Sequence, residues 1–152
     1  MPDTDNPQIA EWTNRLRELV GDFDKNTYFV GHSIGCQAIL RFLEKTDVGE
    51  TCGGVIMVAP WIESFGLETF EEKEVAAKWN KDSINFQEVK KKSENFFAIF
   101  SDNDPCVPLE VNKIFFEEAL SVKIFIEENR RHFSGDDNIN ELPIVLNILK
   151  KI

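Results

Sequence analysis

The chain has 152 residues, 42% of them hydrophobic and 29% charged, a size and balance that suit one globular domain with a sizeable core over residues 1–152. Its 27 acidic against 17 basic residues give a net charge of −10, which argues against nucleic acid as a partner. No apolar run approaches the ~20 residues needed to cross a bilayer, and no basic-then-apolar leader opens the chain, so neither a membrane partner nor secretion is expected.

Taken in order, residues 1–6 read as a polar, extended lead-in. Asn6 is expected to cap a helix with Pro7 at its first position. Ile9, Trp12, Leu16, Leu19, Val20 and Phe23 then recur at helical spacing, with Trp12 as plain core. Residues 26–30 read as a strand, and Cys36, Ile39, Leu40 and Leu43 as the buried stripe of a helix over 36–44. Val55-Ile56-Met57-Val58-Ala59 is a continuous apolar run, the pattern of a strand covered on both faces, stopped by Pro60. Trp61, Phe65, Phe70 and Trp79 are loosely spaced around a short helix expected over 71–78; aromatics of this kind serve ordinary packing or wall a pocket.

A short helix over 86–92 ends in Lys90-Lys91-Lys92, the one basic cluster, which reads as a solvated face. Phe96–Phe100 is a third buried strand, Pro108 opens a further helix, 122–126 is a fourth strand, and 143–152 an amphipathic closing helix. Strands alternating with helices at this spacing predict an α/β fold, a parallel sheet with helices on both faces. Cys36, Cys52 and Cys106, odd in number and far apart, suit free thiols in a reducing, cytoplasmic setting.

The chemistry gathers around Gly31-His32-Ser33-Ile34-Gly35, between a strand and a helix. That spelling fits a nucleophile elbow: the turn strains the serine, residues two before and two after must be small, and the following helix's N–H groups favour negative charge. A tight turn with a capping serine shares the spelling, so the strand–turn–helix setting carries the argument. A serine hydroxyl needs a base, and the base needs a carboxylate to fix its tautomer. The chain has two histidines, and His32 belongs to the elbow, which leaves His132 as the candidate base beside Arg130 and Arg131. Asp102 and Asp104 both follow the third strand, and sequence physics alone leaves them open. The order Ser, Asp, His is that of the α/β-hydrolases. Neither the cysteines nor the histidines have ligand spacing, and no Gly-x-Gly-x-x-Gly turn is present, so no metal and no cofactor is expected.

At Asn26-Thr27-Tyr28-Phe29-Val30-Gly31-His32-Ser33-Ile34-Gly35-Cys36, Ser101-Asp102-Asn103-Asp104-Pro105 with Val107-Pro108, and His132-Phe133, the chain resembles a known family. It is similar to the small serine hydrolases that include retinoblastoma-binding protein 9 and YdeN-like proteins, within the α/β-hydrolase superfamily. The resemblance implies Ser33 as nucleophile, Asp104 as acid, His132 as base, and hydrolysis of a small ester or amide. Two departures accompany it. Arg131 stands where the family usually has glycine, and Met1 resembles a point inside the family's sequence, after two strands, the first of which is followed by a loop that supplies half of the oxyanion hole. On that reading Ile34 N–H is the remaining donor, and the strand at 27–30 is an exposed apolar edge expected to pair with a second copy or a covering partner. The rival reading is a catalytically impaired, truncated relative that acts as a binding or structural module.

Overall fold

The computed structural model describes residues 1–64, 66, 67 and 69–152. Along it run helix α1 (Ile9–Val20), strand β1 (Tyr28–His32), α2 (Ile34–Glu44), β2 (Gly54–Val58), α3 (Phe70–Lys81), α4 (Phe86–Lys90), β3 (Phe96–Ser101), α5 (Leu109–Leu120), β4 (Lys123–Glu127) and α6 (Pro143–Leu149). The strands hydrogen-bond in the order β1-β2-β3-β4, all parallel, with Val30 beside Ile56, Met57 beside Ala98 and Ala98 beside Ile124. Parallel pairing needs a crossover each time, and the connecting helices supply it.

β2 and β3 are buried along their whole length, as their unbroken apolar runs require. α2 packs on β1, α5 on β3 and β4, and Ile144 and Ile148 of α6 lie beside Phe97 and Phe125. This is the expected α/β layering. β1 differs because it pairs with β2 alone: Phe29 and Gly31 are buried, while Tyr28, Val30 and His32 are exposed, Val30 to 47%. Among the described residues β1 and β4 form the two edges of the sheet.

Three expectations are corrected. α1 begins at Ile9, two residues after Pro7, and Asn6 does not cap it; the Gln8 side chain instead donates to the Asn6 carbonyl and Oδ1. The lead-in is tied down, since Trp12 Nε1 donates to the Pro2 carbonyl, Trp79 Nε1 donates to that of Pro7, and the two indoles meet edge to face at 5.6 Å. Lys92 is not part of a solvated face. It is 4% exposed, and its Nζ donates to the carbonyls of Thr46 and Asp47 just past the end of α2, where a cation meets the negative end of the helix. Of the four loosely spaced aromatics, Trp79 is core, Phe70 is exposed, Trp61 lines a cleft at Ser33, and Phe65 lies outside the described residues.

Candidate active site

β1 ends at His32 and α2 begins at Ile34, so Ser33 alone makes the turn, with φ 50° and ψ −120°. Such a conformation costs ~1–3 kcal/mol and persists only where the surroundings over-determine it. Here the Ser33 N–H donates to the Val58 carbonyl and its own carbonyl accepts from Cys36 N–H, both at 2.9 Å. A Cβ on Gly31 would fall 2.8 Å from Ile39 Cδ1 and 2.9 Å from Cys36 N, so that position must be glycine. A Cβ on Gly35 would meet nothing within 4 Å, and the expected need for a small residue there does not hold among the described residues. Ile34, first in the helix, has an amide with no intrahelical acceptor, and it lines the cleft beside Ser33.

β3 delivers Ser101 to the same end of the sheet, and Asp104 sits three residues on. Its Oδ1 accepts from the N–H groups of Cys106 and Val107 at 2.8 and 3.0 Å, which locks the carboxylate. Its Oδ2 lies 2.9 Å from His132 Nδ1, and His132 Nε2 lies 3.0 Å from Ser33 Oγ. With the proton on Nδ1 donated to Asp104, Nε2 presents its lone pair to the serine hydroxyl. Asp102, the alternative acid, points elsewhere: its Oδ1 accepts from Asn129 N–H at 2.8 Å.

The loop that carries His132 is held by groups the sequence did not single out. Arg131 and Phe133 both have positive φ, 47° and 56°, so the position where the family usually has glycine does adopt a glycine-favouring conformation. Asp137 stabilises it. Its Oδ2 accepts from the His132 and Ser134 N–H groups and the Ser134 hydroxyl, and its Oδ1 from Arg131 Nε at 2.8 Å. Burial works against the ionised carboxyl, yet these donors hold its pKa down at about 2. Asn103 Oδ1 accepts from Arg131 N–H, and His32 Nε2 donates to the His132 carbonyl at 2.7 Å. Desolvation of the ring, foremost, lowers the His32 pKa and so favours its neutral form, although the residue as a whole is exposed at the end of β1; the ring lies 5.0 Å from that of His132. The signal that could have revealed Asp137 is Ser134-Gly135-Asp136-Asp137, a local side-chain-to-backbone turn.

Residues 1–151 match the family model described as serine hydrolase. The chain belongs to the serine hydrolase family. It is 29% identical over 150 residues to YdeN of Bacillus subtilis (strain 168), which is named as a hydrolase, covering 98% of this chain and 75% of YdeN. The crystal structure of the B. subtilis ydeN gene product superposes with a TM-score of 0.87 at 27% identity, over 99% of this chain and 78% of that one. A YdeN-like protein from Pectobacterium atrosepticum (TM-score 0.66, 15% identity, 96% and 69% covered) shares the fold. So does a structure from a study of carboxylesterases of Nitrososphaera gargenis (0.65, 12%, 100% and 76%). The sheet and helices are thus those of an α/β-hydrolase.

In this member of the serine hydrolase family, a cleft of about 230 Å³ opens at Ser33 and His132, with Trp61, Leu67, Val75 and Val107 as apolar wall. α3 supplies Val75 and is fixed by a capping box between Thr69 and Glu72. Asn112, fully buried, pins the other wall: its Oδ1 accepts from Ile62 and Glu63 N–H, and its Nδ2 donates to the Glu63 and Pro108 carbonyls. Spacing hid one further cluster. Cys106, Asp104 and His132 bring ligand-type atoms within 4.8 Å of one another, although two of the three already bond each other. Burial, ahead of the nearby Asp104 charge, pushes the Cys106 thiol pKa up, which disfavours the thiolate a metal would need.

Proposed function

We propose that this chain cleaves a small ester or amide through an acyl-enzyme, with Ser33 as nucleophile, His132 as general base and acid, and Asp104 as the carboxylate that orients the base. The observation that carries the proposal is the bridging of Ser33 Oγ and Asp104 Oδ2 by the two nitrogens of one imidazole, at 3.0 and 2.9 Å. Ser33 Oγ bonds to the acyl carbon as its proton passes to His132 Nε2. Collapse breaks the C–O or C–N bond, and His132 returns the proton to the departing alcohol or amine. Water, activated by the same nitrogen, then releases the acid. The Ile34 N–H faces the developing oxyanion.

The narrow apolar cleft favours a short acyl group. Hydrolysis of nitrophenyl esters of rising chain length tests this: acetate and butyrate should turn over faster than long-chain esters, and His132→Asn or Asp104→Asn should lower kcat by about 10²–10⁴-fold. Equal rates in the folded variants would overturn the assignment.

Two further features extend the proposal. The exposed apolar face of β1 supports self-association through this edge, and a monodisperse monomer by light scattering at micromolar concentration would contradict it. Three cysteines without disulfides support a cytoplasmic protein, and none of the described helices is long and apolar enough to cross a membrane.

A further inference from the structure

His32, next to Ser33 in the chain, has no part in the proposed reaction, yet it reaches the base. It ends β1, and its Nε2 lies 2.7 Å from the carbonyl oxygen of His132, 100 positions further along the chain. A carbonyl oxygen only accepts, so Nε2 carries the hydrogen of this bond. The two imidazoles lie 5.0 Å apart, tilted by 52°. Among the described residues no other group donates to that carbonyl.

The peptide group between His132 and Phe133 is thereby held at both ends. Its N–H donates to the Arg130 carbonyl at 2.9 Å, and its carbonyl accepts from His32. On either side of the base, Arg131 and Phe133 have φ of 47° and 56°, which non-glycine residues keep only where the surroundings over-determine it. Rotation of this peptide group would change ψ of His132 and φ of Phe133 together. The Phe133 side chain is buried and anchored, so the movement would fall on His132, whose Nε2 must stay 3.0 Å from Ser33 Oγ. Asp137 holds the N–H of His132 and Asp104 its Nδ1; the carbonyl side depends on His32. A histidine suits the task chemically. Lysine or arginine would also donate, but would set a permanent cation beside an imidazole that takes up the Ser33 proton in each cycle. Asp104 and Asp137 favour a charged His32 ring, while its desolvation, foremost, and His132 oppose it; the balance favours a neutral donor.

We propose that His32 is a positioning residue for the base: its Nε2–H fixes the peptide group after His132, and through it the placement of the His132 ring between Asp104 and Ser33. The inference rests on the reading of Ser33, Asp104 and His132 as the reacting groups. It gives the elbow a second task, since the strand that delivers the nucleophile also holds the loop that delivers its base.

Two readouts test it: hydrolysis of nitrophenyl acetate, and the proton NMR resonance of His132 Nδ1–H, assigned by its absence in His132→Asn. His32→Phe keeps a flat ring without the donor, and His32→Ala is a second donorless variant. Both should broaden the resonance and lower kcat about 10- to 10²-fold, with KM within about twofold, because the base is misplaced while the cleft is untouched. His32→Gln, which offers an amide N–H, should recover most of the resonance and of kcat. A parental resonance and kcat in the folded donorless variants, or losses that His32→Gln does not restore, would overturn the proposal. A parent chain that shows the resonance but neither hydrolyses the ester nor takes up a fluorophosphonate would overturn the reading of Ser33 instead, and the resonance in the variants then decides the role of His32.

Discussion

Asp137→Ala is the perturbation that best separates the support of the His132 loop from the groups proposed to act on substrate. The carboxylate accepts four hydrogen bonds, from Arg131 Nε, His132 N–H, Ser134 N–H and Ser134 Oγ, and its side chain is 11% exposed. Its pKa is held down from 3.8 to about 2, which corresponds to about 2 kcal/mol of native-state stability at ~1.36 kcal/mol per pH unit. Because the folded-state pKa is the lower one, that stability is present above pH 3.8 and is lost as pH falls toward 2. Urea unfolding at pH 7 should therefore show Asp137→Ala weaker by about 2 kcal/mol, and the difference from the parent chain should shrink between pH 4 and pH 2. Arg131 and Phe133 would lose the contacts that keep them at positive φ, and a ~1 Å drift of the imidazole would cost about 10²-fold in kcat with little change in KM. Asp137→Asn, which keeps an acceptor for His132 N–H, should recover part of the loss. A folded Asp137→Ala protein with parental stability and kcat would show that the carboxylate does not hold the His132 loop.

The two glycines of the elbow should behave oppositely. Gly31→Ala forces a Cβ into Ile39 and the Cys36 amide and should destabilise by about 1–3 kcal/mol, whereas Gly35→Ala should be neutral or stabilising by up to ~1 kcal/mol in thermal melts. Destabilisation at Gly35 equal to that at Gly31 would show that the second position is also crowded. Asn112→Ala strands two amides and a carbonyl behind the cleft wall; a loss of about 3 kcal/mol in urea unfolding is expected, and less than 1 would contradict the role given to it.

The sheet was readable in the sequence because its inner strands are covered on both faces. Residues 55–59 and 96–100 are unbroken apolar runs, and solvent leaves no alternation to confuse them. Element ends were less so. β1 runs two residues further than the apolar run suggests, since Gly31 and His32 pair with Met57 and Val58 through backbone alone. The serine, one histidine and a pair of aspartates were legible as residue types at strand ends, yet Asp102 and Asp104 differ only in where a turn aims them. That difference is set by the amides of Cys106 and Val107, which carry no side-chain signal. Asp137 and Lys92 escaped for a related reason: each binds backbone groups brought close by folding, and such contacts have no periodicity along the chain.

Labelling with a fluorophosphonate probe, followed by peptide mapping, identifies the nucleophile, because the probe reacts with an activated serine and marks the residue that attacked it. One adduct is expected, on the peptide containing Ser33, absent in Ser33→Ala and much slower to form in His132→Asn. Folded protein that takes up no probe, or carries it on another residue, would contradict the assignment of Ser33 as nucleophile.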